Sequence, residues 1–248
     1  MVFRVALLNL HQGFGRWTER RELIVEQLGT LRPDILALNE ISVPLQTGRW
    51  LQGQASERFQ LQYALVQQTK SGYWSEDEAQ GLLTRFPIIE TGNLDYLSRG
   101  RVAQVVRIDV EGHHVDVYVT HLHHMPEEDG LRQYQVRRLF QWIGSRGDVS
   151  GCIVCGDFNA TPDSPSIRLI PASFRPVQTA PTFPTGLDTP GGPPQGSRVE
   201  RLSFCFDYIW IAGNLGIQEA GRCFDRPASD DPSLWPSDHV GVWADLTL

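Results

Sequence analysis

The chain has 248 residues, 41% hydrophobic and 21% charged, proportions that fit a folded globular protein and exclude collagen, coiled coil and wholesale disorder. Its 22 basic and 29 acidic residues give a net charge of −7, so the molecule as a whole offers no long-range attraction to nucleic acid or anionic lipid. No apolar run reaches the roughly 18 to 20 residues of a membrane span, Val5-Ala6-Leu7-Leu8 is shorter than a secretory signal, and four cysteines are too few for a disulfide scaffold, which together lead us to expect a cytoplasmic protein.

Phe3 to Asn9 reads as a buried strand, followed by a helix over Glu19 to Leu31 with Ile24, Leu28 and Leu31 on one face and Thr18 as its cap. Pro33 ends that helix, and Asp34 to Glu40 runs extended with Ile35 and Leu36 on opposite faces, completing a crossover unit. Alternating patterns place further strands at Gln60 to Val66, Gly81 to Thr84, Ala103 to Val110 and Val115 to Thr120. Asp129 to Ile143 carries the stripe Val136, Leu139, Phe140 and Ile143 of an amphipathic helix, and Cys152 to Cys155 returns as a strand. Ser164-Pro165 opens a short helix through Ile170. Seven of the sixteen prolines lie between Pro171 and Pro194, which reads as a long surface loop. Phe206 to Ala212 and Val240 to Leu246 close the chain as strands, and with no linker in the composition a single domain over 1–248 is expected.

Polar residues end these strands at separated places: Asn9, Glu40, His121, Asp157 with Asn159, Asp207, and Asp238 with His239. Singly, each reads as a cap or turn residue. Jointly they suggest a site, because four carboxylates converging at about 4 Å repel by roughly 4 kcal/mol per pair at an effective dielectric of 20, and a divalent cation offsets that repulsion. Oxygen-rich ligands favour Mg²⁺ or Mn²⁺ over zinc. Glu40 follows the apolar run Ile35-Leu36-Ala37-Leu38, a costly place for an unpaired carboxylate. Asp157 and Asn159 flank Phe158, so in an extended segment they point one way and Phe158 the other.

The order of these blocks resembles the endonuclease/exonuclease/phosphatase superfamily: Val5-Ala6-Leu7-Leu8-Asn9, Pro33-Asp34-Ile35-Leu36-Ala37-Leu38-Asn39-Glu40, Gly81-Leu82-Leu83-Thr84-Arg85-Phe86-Pro87-Ile88, Val119-Thr120-His121-Leu122, Gly156-Asp157-Phe158-Asn159, Phe206-Asp207-Tyr208-Ile209 and Ser237-Asp238-His239. The resemblance implies an α/β fold, a four-layer αββα sandwich of two mostly antiparallel sheets with helices outside and the site at one mouth. It implies Glu40 as principal metal ligand with Asn9 and Asp238 nearby, and His239 as proton acceptor or phosphate partner oriented by Asp207. Asp157 and Asn159 would hold the attacking water and a phosphate oxygen, and His121 would lie against the phosphate. His11 and His121 stand where abasic-site endonucleases carry aspartate and tyrosine, whereas Asn9-Leu10-His11-Gln12-Gly13 is similar to the opening of small phosphodiesterase-like members.

The implied activity is Mg²⁺- or Mn²⁺-dependent hydrolysis of phosphate esters, foremost of a phosphodiester, with nucleic acid, a lipid or a small molecule as substrate and no protein partner indicated. A phosphomonoesterase acting on a small or lipid-linked phosphate, and a non-catalytic binding module on the same fold, are the alternatives. Arg99 and Arg101, whose guanidinium forks match phosphate oxygens, and His11 are candidate substrate contacts. The CxxC spacing of Cys152 and Cys155 is read as packing, because residues three apart in a strand face opposite ways.

Overall fold

The computed structural model describes residues 1–147, 149–184 and 202–248. In chain order the elements are β1 (Val2–Asn9), α1 (Trp17–Leu31), β2 (Ile35–Ser42), α2 (Thr47–Phe59), β3 (Ala64–Thr69), β4 (Glu78–Thr84), β5 (Ile88–Asp95), β6 (Val102–Val110), β7 (His113–His121), α3 (Asp129–Gly144) and β8 (Gly151–Asp157). Then come β9 (Arg175–Pro176), β10 (Phe183–Pro184), β11 (Leu202–Phe204), β12 (Asp207–Gly213), β13 (Gly216–Cys223) and β14 (Gly241–Thr247).

Two six-stranded sheets result, ordered β13-β14-β1-β2-β4-β3 and β5-β6-β7-β8-β12-β9. Strand alternation explains how they stack. On β1, Val5 and Leu7 enter the core between the sheets, while Ala6 and Leu8 face α1 and α2. On β12, Ile209 and Ile211 face the inter-sheet core and Tyr208 and Trp210 the layer containing α3. Three apolar cores therefore separate four layers, the αββα sandwich. Cys155 falls in the central core and Cys152 in the outer one, so the two thiols never face each other.

Each sheet contains one parallel pair joined by a helical crossover, β1-α1-β2 and β7-α3-β8. The remaining pairings are antiparallel. Close approach within the second parallel pair requires Gly156, where a Cβ would lie 2.2 Å from the Thr120 carbonyl oxygen.

The chain differs from its sequence reading mainly at edges. α2, β5 and β13 had no strong pattern, because β5 and β13 are edge strands with mostly polar or half-exposed residues and α2 buries only Leu51 and Ala55 among its apolar positions. α1 starts at Trp17 with Arg16 as a cap that makes no side-chain hydrogen bond, so Thr18 does not cap it; Arg32, in the left-handed region, closes its far end. The strand expected at Gln60 to Val66 lies later, at β3. The helix expected after Ser164 is a single turn over Ile167–Leu169. Of the expected Pro171 to Pro194 loop, the part through Pro184 holds the short β9 and β10, and residues 185–194 lie outside the described residues. No helix among the described residues is long and apolar enough to cross a membrane.

Candidate active site

Both parallel pairs run out at the same end of the sandwich, where their carboxyl ends deliver side chains to one cleft. β1 ends on Asn9 and β2 carries Asn39 and Glu40; β7 ends on His121 and β8 on Asp157. Asp207, which opens β12, sits in register opposite Asp157. Ser237 ties the last loop to this end by donating to the Asn9 carbonyl at 2.6 Å, which brings Asp238 and His239 in. The cleft has a volume of about 1320 Å³, and Glu40, His121, Asp157, Asn159, Asp238 and His239 line it.

Glu40 reaches this cleft against the alternation of its strand. Leu36 and Leu38 face the helices, so strict alternation would send Glu40 there too. Instead the β2–β4 register shifts between Leu38 and Ile41, and Glu40 takes a φ of 54°, a left-handed conformation unusual for a side chain of this size. The bulge re-aims the carboxylate toward Asn9, whose Nδ2 donates to Glu40 Oε1 at 3.3 Å and to Asp157 Oδ2 at 3.2 Å. Removal from water, then the charges of Glu78 and Asp238, push the Glu40 carboxyl up to about 8. Burial likewise pushes Asp157 up to about 7, with Asp207 adding to it. Asn39 lies beneath them and joins the two sheets, accepting from the Asp157 backbone N–H at 2.9 Å and donating to the Thr120 carbonyl at 3.0 Å.

His239 donates from Nδ1 to Asp207 Oδ2 at 2.8 Å, and its Nε2 lies 3.8 Å from Asp157 Oδ2. Thr182 also donates to Asp207 Oδ2, at 2.7 Å, which fixes the carboxylate from a second side. Burial is the largest influence on His239 and opposes its charge, but Asp207 and Asp157 together outweigh it and hold the imidazole up at about 10.

A second histidine–carboxylate pair approaches the same Asp157 oxygen. His121 Nδ1 donates to Glu78 Oε1 at 3.2 Å, while Nε2 stands 3.6 Å from Asp157 Oδ2 and 3.9 Å from Glu40 Oε1. Burial, then the nearby Arg101, lower His121 to about 3, so its Nε2 carries a free lone pair. Glu78 experiences burial most strongly, but His121, Lys70 and Arg101 overcome it and bring the carboxyl down to about 2. Sequence reasoning missed Glu78: it sits in the acidic run Glu76-Asp77-Glu78 ahead of the apolar block, where only its position opening a strand set it apart.

The other candidates fall around the same mouth. His11 Nε2 lies 3.6 Å from Asp238 Oδ2. Arg99 pairs with Glu128 at 3.1 Å on the rim, and Arg101 is buried in the wall with Nη2 3.2 Å from His124 Nδ1. Phe158 is buried as expected, but Asn159 leaves the extended conformation at φ 49° and donates from Nδ2 to the Leu122 carbonyl at 3.2 Å.

These residues suit a hard divalent cation. Donor atoms of Asp157, Asp207 and His239 lie within 4.8 Å of one another, a different trio from Glu40, Asn9 and Asp238 of the sequence reading. Burial raises the carboxyls of Glu40 and Asp157 well above the ordinary carboxylate range, and the buried Asp207 Oδ1 has no hydrogen-bond partner among the described residues. Carboxylate and amide oxygens dominate the set, and no thiolate reaches it.

Residues 8–239 match the model of the Endonuclease/Exonuclease/phosphatase family. Nocturnin of Homo sapiens is 24% identical over 258 residues, covering 94% of this chain and 59% of its own length, so the chain spans about three fifths of that curated relative. TDP2 of D. rerio, solved in complex with a single-strand DNA product, superposes with a TM-score of 0.79 at 16% identity over 100% of this chain and 99% of its own. The human Nocturnin catalytic domain with bound sulfate gives 0.74 at 21% identity over 99% and 93% of the two chains. A mannosyl-6-phosphatase of Bacteroides thetaiotaomicron gives 0.77 at 16% identity over 99% and 100%.

Proposed function

The chain belongs to the Endonuclease/Exonuclease/phosphatase family, and on that premise we propose that it is a divalent-metal-dependent phosphodiesterase in which water attacks phosphorus in line. The carrying observation is the meeting of Asn9, Glu40, Asp157, Asp207 and His239, from strands and loops remote in sequence, within hydrogen-bond or near hydrogen-bond distance of one another. Glu40, with Asn9 and Asp238, would hold Mg²⁺ or Mn²⁺, which when bound neutralises charge developing on the phosphoryl oxygens.

The protein groups then divide the work. Asp207 fixes the ring of His239 through Nδ1, leaving Nε2 to exchange a proton with the attacking water or to donate to a phosphoryl oxygen. Positive charge among the carboxylates would weaken the field that raises His239 and bring the imidazole toward its neutral, proton-accepting form. Asp157 and Asn159 position water and a phosphoryl oxygen. His121 is fixed in the same way, with Nδ1–H directed at Glu78 and Nε2 facing the cleft. His11, Arg99 and Arg101 contact the substrate from the walls.

A Mg²⁺ assay with a phosphodiester dye, a phosphomonoester dye, plasmid DNA, RNA and sphingomyelin tests this reading beside Glu40→Gln and His239→Ala. Diester turnover lost in both variants supports it. Undiminished turnover in Glu40→Gln rejects the metal role, preference for the monoester dye makes the protein a phosphomonoesterase, and turnover of nothing favours a binding module.

A further inference from the structure

The helix of each crossover carries an arginine in its first turn, Arg20 in α1 and Arg132 in α3, and both are buried, with exposures of 6% and 3%. Helix stability does not account for them, because the positive end of the helix dipole disfavours a cation there. Their donors go instead to the backbone of the loop that leads into each helix. Arg20 Nη1 donates to the carbonyls of Leu10 at 3.2 Å and Pro236 at 2.7 Å, and Nη2 to those of His11 at 3.4 Å and Phe14 at 2.7 Å. Arg132 Nη1 donates to the carbonyls of His123 at 3.1 Å and Met125 at 2.6 Å, and Nη2 to that of Pro126 at 2.8 Å.

The two halves match in detail. Asn9 and His121 end β1 and β7, and each lies eleven residues ahead of its arginine. Each is followed by Leu-His, and the leucine N–H donates at 2.9 Å to a carbonyl of the parallel partner strand, Leu10 to Asn39 and Leu122 to Asp157. Helix packing does not require one residue type, one spacing and one kind of acceptor in both sheets; a loop of cleft residues to be held is what the halves share.

Carbonyl oxygens that converge away from water repel one another unless a donor stands between them. The loop after β1 carries a further cost, since His11 and Gln12 take left-handed φ values of 54° and 45°. This loop brings His11 within 3.6 Å of Asp238. Through Pro236, Arg20 also joins it to the segment bearing Asp238 and His239, next to the bond from Ser237 to the Asn9 carbonyl. The loop after β7 presents His124 to Arg101.

Resting on the phosphodiesterase reading, we infer that Arg20 and Arg132 are positioning residues, each a guanidinium clamp that fixes the loops of one half of the cleft for the reaction. Arg20 serves the His239 side and acts through the loops, with both Nη atoms spent on carbonyls. Arg132 serves the wall that includes His123 and His124.

Lysine keeps the charge, but one ammonium cannot span two pairs of carbonyls. For bis(p-nitrophenyl) phosphate, Arg20→Lys should lower kcat about 10²-fold with KM changed less than about twofold, because a misplacement of about an ångström suffices for such a loss. Backbone amides of residues 10–14 and 237–239 should exchange at least about tenfold faster, with β1 and β12 unchanged. Arg132→Lys should instead raise KM about tenfold and speed exchange at residues 123–128. It reads the same device if Arg20→Lys does not fold. Unaltered kcat and KM beside a lower melting temperature would make both arginines merely structural, and exchange accelerated evenly across the sheets would equally overturn the clamp. Exchange is followed without substrate, so the two layers separate. Loosening confined to the loops, in a protein whose unaltered form turns over no diester, keeps the clamp and rejects the phosphodiesterase; unchanged loop exchange in both variants rejects the clamp whatever the turnover.

Discussion

Two buried histidine–carboxylate pairs flank the same Asp157 oxygen, with hydrogen bonds of 2.8 Å and 3.2 Å, yet their imidazoles are driven in opposite directions. His239 rises to about 10 and His121 falls to about 3. Burial opposes the charged ring in both, so burial is not what separates them. The neighbours are. His239 is surrounded by Asp207, Asp157 and Asp238, whereas His121 shares Glu78 with Arg101 and Lys70. A histidine beside a carboxylate is therefore no fixed chemical unit; the next charges outward decide whether it offers a proton or a lone pair.

The largest expected effect that tests this contrast is on catalysis. Asp207→Asn should lower kcat by roughly 10²- to 10⁴-fold, and Glu78→Gln by at least about tenfold less, measured on the same diester dye. Equal losses would mean that the two pairs do the same job.

Stability should reverse the ranking. Glu78→Gln leaves Lys70 and Arg101 buried without their carboxylate, and breaking such a pair costs about 3 to 5 kcal/mol, read from urea unfolding of the metal-free protein. A loss below about 1 kcal/mol would show that Glu78 is not what neutralises this wall.

Removing a repelling charge acts the other way. Glu40→Gln should raise the melting temperature of the metal-free protein by about 2 to 4 °C and abolish the further rise that Mg²⁺ produces, as followed by calorimetry. A lower metal-free melting temperature would contradict the crowding of carboxylates inferred on the His239 side.

The smallest effect is in acid. The Glu78 carboxyl is held near 2 in the fold against an ordinary 4.5, so the unfolded chain takes up the proton first. Its stabilisation is complete above about pH 4.5 and disappears as pH falls toward 2. The melting temperature of the unaltered protein should fall more steeply over that interval than that of Glu78→Gln; parallel slopes would assign the pair no acid-side linkage.

Much of this site was legible before folding was considered. Asn9, His121, Asp157, Asp207, Asp238 and His239 each stand at the end or beginning of an apolar alternation; the structure places His121, Asp157, Asp238 and His239 on one cleft and Asn9 and Asp207 in hydrogen-bond contact with its lining, although His121 and His239 play electrostatic parts that alternation does not reveal. Glu78 was not legible, because an acidic residue in an acidic run looks like a solvated turn until the opposite sheet delivers His121 to it. Glu40 was legible by type but not by direction, since its aim comes from a bulge that breaks the very periodicity used to read its strand.

What the chain determines by itself is local: where apolar residues alternate and where prolines and polar residues stop them; the sandwich of two sheets between helices, with the site at one mouth, was implied only by the family resemblance. What tertiary structure alone decides is the charge environment of those groups and the burial of Arg101 and Lys70 around the single carboxylate of Glu78. Alternation depends on near neighbours along the backbone, whereas the field at a buried group sums charges brought together from across the chain, in surroundings that screen them weakly.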